Sequence, residues 1–181
     1  LYDLTALQVD CNRRYGFSAE KTLQTLQSLY EKKLTTYPRV DTRYLTDDIY
    51  AKCPGILSAL TDYAQFVAQL KESPLPKSSR VFNSAKVTDH HAIIPTGQHP
   101  KTLTQSEQQV YDLICRRFIA VFLPDCQFST TAVLGKCGDV GFKATGKEIL
   151  LQGWKAVYAS LSQHDDESDK HEQILPSFVK G

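Results

Sequence analysis

The hydrophobic periodicity of this 181-residue chain changes at Pro124. Before Pro124, apolar residues recur at the three- and four-residue spacing of amphipathic helices. After it, residues 128–134, 140–144 and 148–151 have the composition of strands and are separated by glycines. We therefore predict an α+β fold, in which a mainly helical domain is joined to a small antiparallel β segment.

The predicted organisation has three parts. Residues 1–123 form the helical domain, residues 124–160 supply the antiparallel strands, and residues 161–181 are a polar linker or the start of a next domain. The last part contains the acidic run at residues 164–169, which is typical of a solvated loop.

The first two helices are predicted over residues 3–14 and 19–33, where Leu, Cys and Tyr recur at helical spacing. Ser18 is the candidate N-cap of the second helix, and Gly16 marks the turn between the two. The pair resembles a helix-turn-helix element.

Further helices are expected before Pro124. One begins at Thr46 and ends before Pro54, and residues 57–70 form one or two more. Thr104 opens a capping box ahead of a strongly amphipathic helix.

The composition excludes several classes of protein. Hydrophobic residues make up 41% and charged residues 23% of the chain, so a packed core is feasible, and the net charge of +1 does not indicate nucleic-acid binding by itself.

The five cysteines lack metal-ligand or disulfide spacing, so we expect reduced, mostly buried thiols and no metal site in this chain. No apolar run is long enough for a membrane span, and no signal peptide is visible. The absence of methionine indicates a piece of a longer polypeptide.

Pro38 determines the backbone around Tyr37. A residue that precedes proline is driven out of the helical region, so Tyr37 is predicted to be extended. In an extended chain alternate residues share a face, which puts Tyr37, Arg39 and Asp41 on one side.

A tyrosine beside an arginine suits attack on a phosphodiester. The phenol is the nucleophile, and Arg39 can stabilise a phenolate and bind phosphate bidentately. Arg39 cannot accept a proton and is therefore not the base. The alternative is structural: a Tyr-Pro-Arg tripeptide is common, and such a tyrosine usually belongs to the scaffold.

A second segment, residues 89–96, has the sequence Asp-His-His-Ala-Ile-Ile-Pro-Thr. A histidine beside a carboxylate can offer a cationic hydrogen bond to phosphate. The alternative is a histidine pair in which His90 or His91 caps a turn and the other ring lies in solvent.

Together the two segments resemble the active-site region of type IA DNA topoisomerases, in the bacterial topoisomerase III branch. Residues 37–42, Tyr-Pro-Arg-Val-Asp-Thr, match that family's Tyr-x-Arg-x-Asp-Ser/Thr pattern, and residues 89–96 match its histidine segment. Val40 departs from the threonine usual there, which puts in doubt any contact made by that hydroxyl. The resemblance extends over residues 1–158.

The resemblance implies roles for individual residues. Tyr37 would attack single-stranded DNA and form a 5′-phosphotyrosine, Arg39 would hold the scissile phosphate, and His90 would be the functional histidine. Four further residues are candidate DNA contacts: Arg14, Lys21, Lys86 and His91. For Arg14, Lys21 and Lys86, a solvated surface charge is the alternative.

The resemblance also implies what this chain lacks. In the family, Mg²⁺ is bound by carboxylates of a preceding Toprim domain, and no matching cluster is present here. We therefore expect the isolated chain neither to cleave nor to relax DNA.

The resemblance implies that the whole protein is an ATP-independent isomerase of the bacterial cytoplasm, associated with the nucleoid, whose tasks are relaxation and decatenation. Its partners would be single-stranded DNA and the remaining domains of its own polypeptide, with no obligate oligomer.

Other DNA-acting classes fit less well. A tyrosine recombinase needs a His-x-x-Arg ahead of a late tyrosine, and a rolling-circle nickase needs two histidines separated by one residue; His90 and His91 are adjacent. A non-catalytic winged-helix module, built from residues 3–45 and the later hairpin, would explain the helix pair but not the His90 segment. A domain that only docks to partners is the remaining alternative.

Overall fold

The computed structural model describes residues 1–70 and 74–161. The chain divides into two compact units, Leu1–Leu123 and Pro124–Gly181. The first unit is mainly helical and the second contains a two-stranded antiparallel sheet, so the predicted α+β class is confirmed. Apart from Leu161, the predicted polar linker lies outside the described residues.

Five α-helices lie in the described part of the first unit. Their bounds are α1 Leu4–Tyr15, α2 Ala19–Glu31, α3 Cys53–Ala59, α4 Ala64–Val67 and α5 Gln105–Ala120. Short 3₁₀ turns span Asp47–Lys52, Thr61–Tyr63, Ala68–Leu70 and Ser84–Lys86. Fully buried apolar side chains of α1, α2 and α5 form much of the core of this unit, among them Leu7, Leu26, Leu29, Val110, Leu113, Ile114 and Phe118.

The first helix pair follows its local sequence signals. Asp3 caps α1 by accepting from the Ala6 N–H at 2.6 Å, and Ser18 caps α2 by accepting from the Lys21 N–H at 3.1 Å. Between them Gly16 adopts a left-handed φ of 66°, and its N–H closes α1. Glycine suits this position because other residues pay a steric cost there. The predicted helix–turn–helix pair is confirmed.

The predicted capping box at the start of α5 is also present. Thr104 accepts from the Glu107 N–H, and a Glu107 oxygen accepts from the Thr104 N–H at 2.8 Å. The other Glu107 oxygen accepts from Ser28 at 2.7 Å and pairs with Lys32 at 2.6 Å. A helix cap therefore also ties α5 to α2.

The helix predicted to begin at Thr46 and end before Pro54 is present as a 3₁₀ helix, Asp47–Lys52, but Pro54 does not interrupt the helical backbone. The Asp47–Lys52 turn leads directly into α3, and Pro54 lies in the first turn of that helix. Proline is tolerated there because the N–H that it lacks would have no intrahelical partner. Pro54 therefore starts a helix and does not stop one.

A buried polar network holds the amino-terminal segment against α1 and α5. Arg117 donates to Asp10 at 2.9 Å and to the Tyr2 hydroxyl at 3.2 Å, with its guanidinium 4.5 Å from the centre of the Tyr2 ring. Arg13 pairs with the second Asp10 oxygen at 3.0 Å. Buried carboxylates need such partners, so this network fixes the position of Tyr2.

Between Pro124 and Leu161 the structure has two strands where the sequence predicted three. Strand β1 covers Gln127–Cys137 and β2 covers Val140–Leu151, followed by a 3₁₀ segment at Gly153–Leu161. Gly146 does not break β2 but pairs opposite Thr131, because the antiparallel ladder continues through it. Gly138, with φ of 59°, makes the tight turn between the strands.

Three of the five cysteines are buried, as predicted, and all five are free thiols. Burial raises the pKa of Cys11 to about 12 and that of Cys53 to about 11. Within the described residues, no helix has the length and apolarity needed to cross a membrane.

The link through Glu107 predicts a pH-dependent contribution to stability. Burial alone would raise the pKa of Glu107, but hydrogen bonds from Lys32, Ser28 and Thr104 outweigh it and lower the pKa from 4.5 to about 2. The contribution is therefore complete above pH 4.5 and is lost as the pH falls towards 2. We expect Glu107→Gln to lower the free energy of unfolding by about 1–3 kcal/mol near pH 7.

Chemical denaturation followed by far-ultraviolet circular dichroism at several pH values measures this effect. The difference between wild type and Glu107→Gln should shrink below pH 4.5. The exposed Glu20→Gln is the matched control and should follow the wild type. A difference that is constant with pH would contradict the assignment.

The backbone at Gly153 predicts a strong effect of alanine. Gly153 has φ of 52°, and a Cβ there would lie 2.3 Å from the Pro124 carbonyl oxygen. We expect Gly153→Ala to destabilise the second unit by about 2 kcal/mol or more, because it combines backbone strain with a clash. Gly141→Ala, with open space around it, is the control and should change stability by less than about 1 kcal/mol.

Trp154 reports this unit selectively, because it is the only tryptophan in the chain and its backbone N–H donates to the Pro124 carbonyl at 2.9 Å. Denaturation followed by its fluorescence measures both variants. Equal midpoints for the two would show that the Gly153 backbone is not a constraint.

Candidate active site

The Tyr37 and His90 segments are joined by hydrogen bonds through Thr36. The Thr36 N–H donates to the Ile94 carbonyl at 3.0 Å, its hydroxyl donates to the Ala92 carbonyl at 3.2 Å, and the same hydroxyl accepts from the Ile94 N–H at 3.0 Å. Thr35 and Pro95 form an antiparallel bridge beside it. Two segments more than fifty residues apart in sequence are thereby held side by side.

Further backbone bonds hold the two segments from either end. The Ala92 N–H donates to the Tyr44 carbonyl at 2.9 Å, and the Ile93 N–H donates to the Tyr2 carbonyl at 2.9 Å. The Leu4 N–H, at the start of α1, donates to the Val40 carbonyl at 3.0 Å. The amino-terminal segment, through Tyr2 and Leu4, is therefore hydrogen-bonded to both segments.

The Tyr37 ring stacks on the His90 ring. The ring centres are 4.3 Å apart with 32° between the planes. Tyr30, near the end of α2, meets the Tyr37 ring edge-on at 5.7 Å. Tyr37 is half-buried and His90 is exposed, so the pair is accessible from solvent.

Burial alternates along the segment that follows Tyr37, as an extended backbone requires. Arg39, Asp41 and Arg43 are exposed, and the residues between them are buried. The predicted common face of Tyr37, Arg39 and Asp41 agrees with this alternation. Val40 is on the inward side and only 6% exposed, so its difference from the family's threonine alters a buried side chain.

A cavity of about 390 Å³ lies where these segments meet. Its lining includes Arg39 and His90 and also the first residues of α1, Leu4 and Thr5. The Arg39 guanidinium favours an anion such as phosphate, whereas the start of α1 is already capped by the Asp3 carboxylate. Asp41, Thr88 and Asp89 complete the polar lining.

Burial or hydrogen bonding makes four other tyrosines less suited to act as nucleophiles. Burial raises the pKa of Tyr63 and Tyr111, so their phenolates are harder to form. The hydroxyl groups of Tyr2, Tyr50 and Tyr63 donate to Asp10, Leu75 and Asp112. In the described part of the chain, no side chain hydrogen-bonds the Tyr37 oxygen.

None of the four predicted DNA contacts lines the cavity that contains Arg39 and His90. Arg14 is half-buried in the last turn of α1, and the Lys21 ammonium lies 3.9 Å from the centre of the Phe17 ring. The Nδ1 atom of His91 is 2.8 Å from the Ala92 carbonyl oxygen. Lys86 donates to the Tyr44 hydroxyl at 3.1 Å and lines a neighbouring cavity.

Sequence reasoning missed several residues of this site. Tyr30 packs edge-on against Tyr37, Thr36 hydrogen-bonds to the His90 segment, and Thr88 lines the cavity. Arg43, which lines the neighbouring cavity, could have been selected from the sequence. The two-residue alternation that places Arg39 on the outward face also places Arg43 there. The others depend on tertiary contacts that no local pattern encodes.

The described residues do not bring together the side chains that a metal ion would need. Over residues 1–70 and 74–161, no group of three or more His, Cys, Asp or Glu side chains could hold a metal ion. The described residues therefore do not fit a Mg²⁺ site, and no chemical step is assigned to a metal bound by them.

Comparison with known proteins adds independent information. Residues 1–181 match a family model described as DNA topoisomerase. The chain is 44% identical over 187 residues to DNA topoisomerase 3 of Bacillus subtilis (strain 168), covering all of this chain and 26% of that protein. It is 45% identical to DNA topoisomerase 3 of Bacillus licheniformis, covering 25% of it, and 41% identical to that of Bacillus cereus, covering 26%. The chain thus spans about a quarter of the length of the relatives it matches.

The Thr36 hydrogen bonds generate a prediction for stability. Thr36→Val keeps the side-chain shape but removes the hydroxyl and leaves the Ile94 N–H without this acceptor. We expect a loss of about 1–3 kcal/mol in the free energy of unfolding of the first unit. Thr102→Val, at an exposed position, is the isosteric control.

Denaturation followed by far-ultraviolet circular dichroism measures the loss. Hydrogen exchange of the Ile94 amide should accelerate in the same variant because its partner is gone. Unchanged exchange at Ile94 would mean that Thr36 does not join the two segments.

Proposed function

Because this chain belongs to the DNA topoisomerase family, we propose that it carries the nucleophile of a type IA enzyme that cuts and reseals single-stranded DNA. The observation that carries the proposal is the stacking of Tyr37 on His90 at 4.3 Å, beside a cavity lined by Arg39 and His90. The match of the whole chain to topoisomerase 3 relatives supports the same function.

The proposed step is a transesterification. The Tyr37 phenolic oxygen attacks phosphorus, the bond to the 3′ oxygen breaks, and a 5′-phosphotyrosine forms. The phenol loses its proton and the departing 3′ oxygen gains one, so the products are a phosphotyrosine ester and a 3′-hydroxyl. The number of phosphodiester bonds is conserved, and resealing therefore needs no ATP.

Arg39 and His90 would act on the phosphate. An arginine binds two phosphoryl oxygens and stays charged throughout, which stabilises the crowded transition state. His90 presents its ring face to Tyr37, so its stacking holds the phenol in place while a protonated ring nitrogen can donate to phosphate. Tyr37 and Arg39, two residues apart in an extended segment, would thus act on the same phosphate.

The missing parts of the reaction would come from the rest of a longer polypeptide. We propose that Mg²⁺ and the proton acceptor belong to a Toprim domain outside this chain. The chain itself spans only about a quarter of the length of its relatives. The isolated 181-residue chain is then inactive in cleavage and relaxation. The proposed function also implies that the protein acts in the bacterial cytoplasm, at the nucleoid.

Covalent capture tests the proposal. The longer polypeptide is mixed with Mg²⁺ and a labelled single-stranded oligonucleotide, denatured rapidly and separated on a gel. We expect a covalent protein–DNA band that is lost with Tyr37→Phe, because phenylalanine keeps the ring but has no nucleophilic oxygen. Arg39→Gln should lower the cleavage rate by about 10²–10³ by removing the phosphate clamp.

Two controls make the result interpretable. Tyr30→Phe keeps the edge-on ring against Tyr37 and should retain the band, and the isolated chain should give none. A band that survives Tyr37→Phe would assign the chemistry to another residue. A chain that binds duplex DNA in preference to single strands, and never forms a covalent band, would support the non-catalytic winged-helix alternative.

A further inference from the structure

A second cavity, of about 590 Å³, adjoins the one beside Tyr37. Asp41 and Thr88 line both cavities, so the two share a wall. The second cavity continues along the outward face of the same extended segment, past Asp41 to Arg43 and Tyr44. The two cavities therefore lie next to each other along one extended segment.

Positive charge is concentrated in this second cavity. Arg43, Arg80 and Lys86 line it, and all three are exposed. Of the two carboxylates in the lining, Asp3 is already engaged, because it caps α1 and pairs with the Arg43 Nε atom at 2.6 Å. That pairing uses the Nε atom of the Arg43 guanidinium. Basic groups that line a polar cavity favour a phosphate.

An aromatic ring lies among these charges. Tyr44 is half-buried, with the Lys86 ammonium 3.1 Å from its hydroxyl and 4.8 Å from its ring centre. The Lys86 backbone is anchored by the Thr42 hydroxyl, which donates to its carbonyl at 2.9 Å. A basic groove that carries an aromatic face is the combination that binds single-stranded nucleic acid, since bases stack on the ring while cations hold the backbone.

We propose that the cavity lined by Arg43, Arg80 and Lys86 binds a second backbone phosphate of the single strand, with Tyr44 stacking on a neighbouring base. The inference rests on the proposed function, which places the cleaved phosphate at Arg39. Arg39 and Arg43 are four residues apart in an extended segment, or about 13 Å. At about 3.4 Å per nucleotide of a stacked strand, the second phosphate lies within about four nucleotides of the cut.

Neutral-phosphate scanning tests the inference. The longer polypeptide carries Tyr37→Phe, so that DNA is bound but not cut, and its affinity for a fluorescent single-stranded oligonucleotide is measured by anisotropy. One methylphosphonate is introduced at each position near the cut in turn. We expect one position, within about four nucleotides of the cut, at which removal of the charge weakens binding about tenfold.

The same scan on the Arg80→Gln, Lys86→Gln double variant isolates the interaction. The penalty at that position should fall below about twofold, because the partner charges are gone. The slope of log affinity against log salt should also decrease by about 0.7 for each phosphate that the variant no longer neutralises. Lys101→Gln, at an exposed position that lines neither cavity, should keep both the penalty and the slope.

The outcomes separate this inference from the proposed function. A Tyr37-dependent covalent band together with no position coupled to Arg80 and Lys86 overturns only the second phosphate site. Coupling without any covalent band supports the phosphate site and overturns the cleavage chemistry. An oligonucleotide that does not bind the polypeptide overturns both.

Discussion

The backbone pairing between the Tyr37 and His90 segments is the constraint on which the candidate site depends. Thr36 alone supplies three of the hydrogen bonds, to the Ala92 carbonyl and to both backbone groups of Ile94. Neither segment is part of a helix or of the two-stranded sheet, so each lacks regular partners of its own. Some of their polar backbone groups bond to each other through Thr36, others bond to Tyr2, Leu4 and Tyr44, and the Tyr37 ring stacks on His90 beside this pairing.

The helical part of the first unit acts as a support for that pairing. Tyr2, whose carbonyl accepts from Ile93, is held by the buried Asp10–Arg117 network between α1 and α5. The start of α1 in turn binds the Val40 carbonyl and lines the cavity beside Arg39. The helix pair that resembles a DNA-reading element thus has a direct structural role in positioning the phosphate-facing arginine.

The elements that were predictable are those with local causes. Ser18, Gly16 and Thr104 mark helix ends through bonds to residues within a few positions, and all three predictions hold. The two errors, at Pro54 and Gly146, have one origin. Each residue was treated as a breaker, yet Pro54 occupies a first turn and Gly146 lies within a continuous antiparallel ladder. Whether such a residue breaks an element depends on its position, which residue type alone does not specify.

The sequence by itself determined the α+β class, the family, the extended backbone at Tyr37 and the outward row that contains Arg39 and Asp41. These follow from local sterics, hydrophobic periodicity and a motif, all of which are contained in neighbouring residues. Only the tertiary structure decided that His90 stacks on Tyr37, that Tyr30 contacts its edge, and that Arg43, Arg80 and Lys86 line one cavity. Those contacts join residues far apart in the chain, and their geometry is set by packing and long-range hydrogen bonds that no local pattern records.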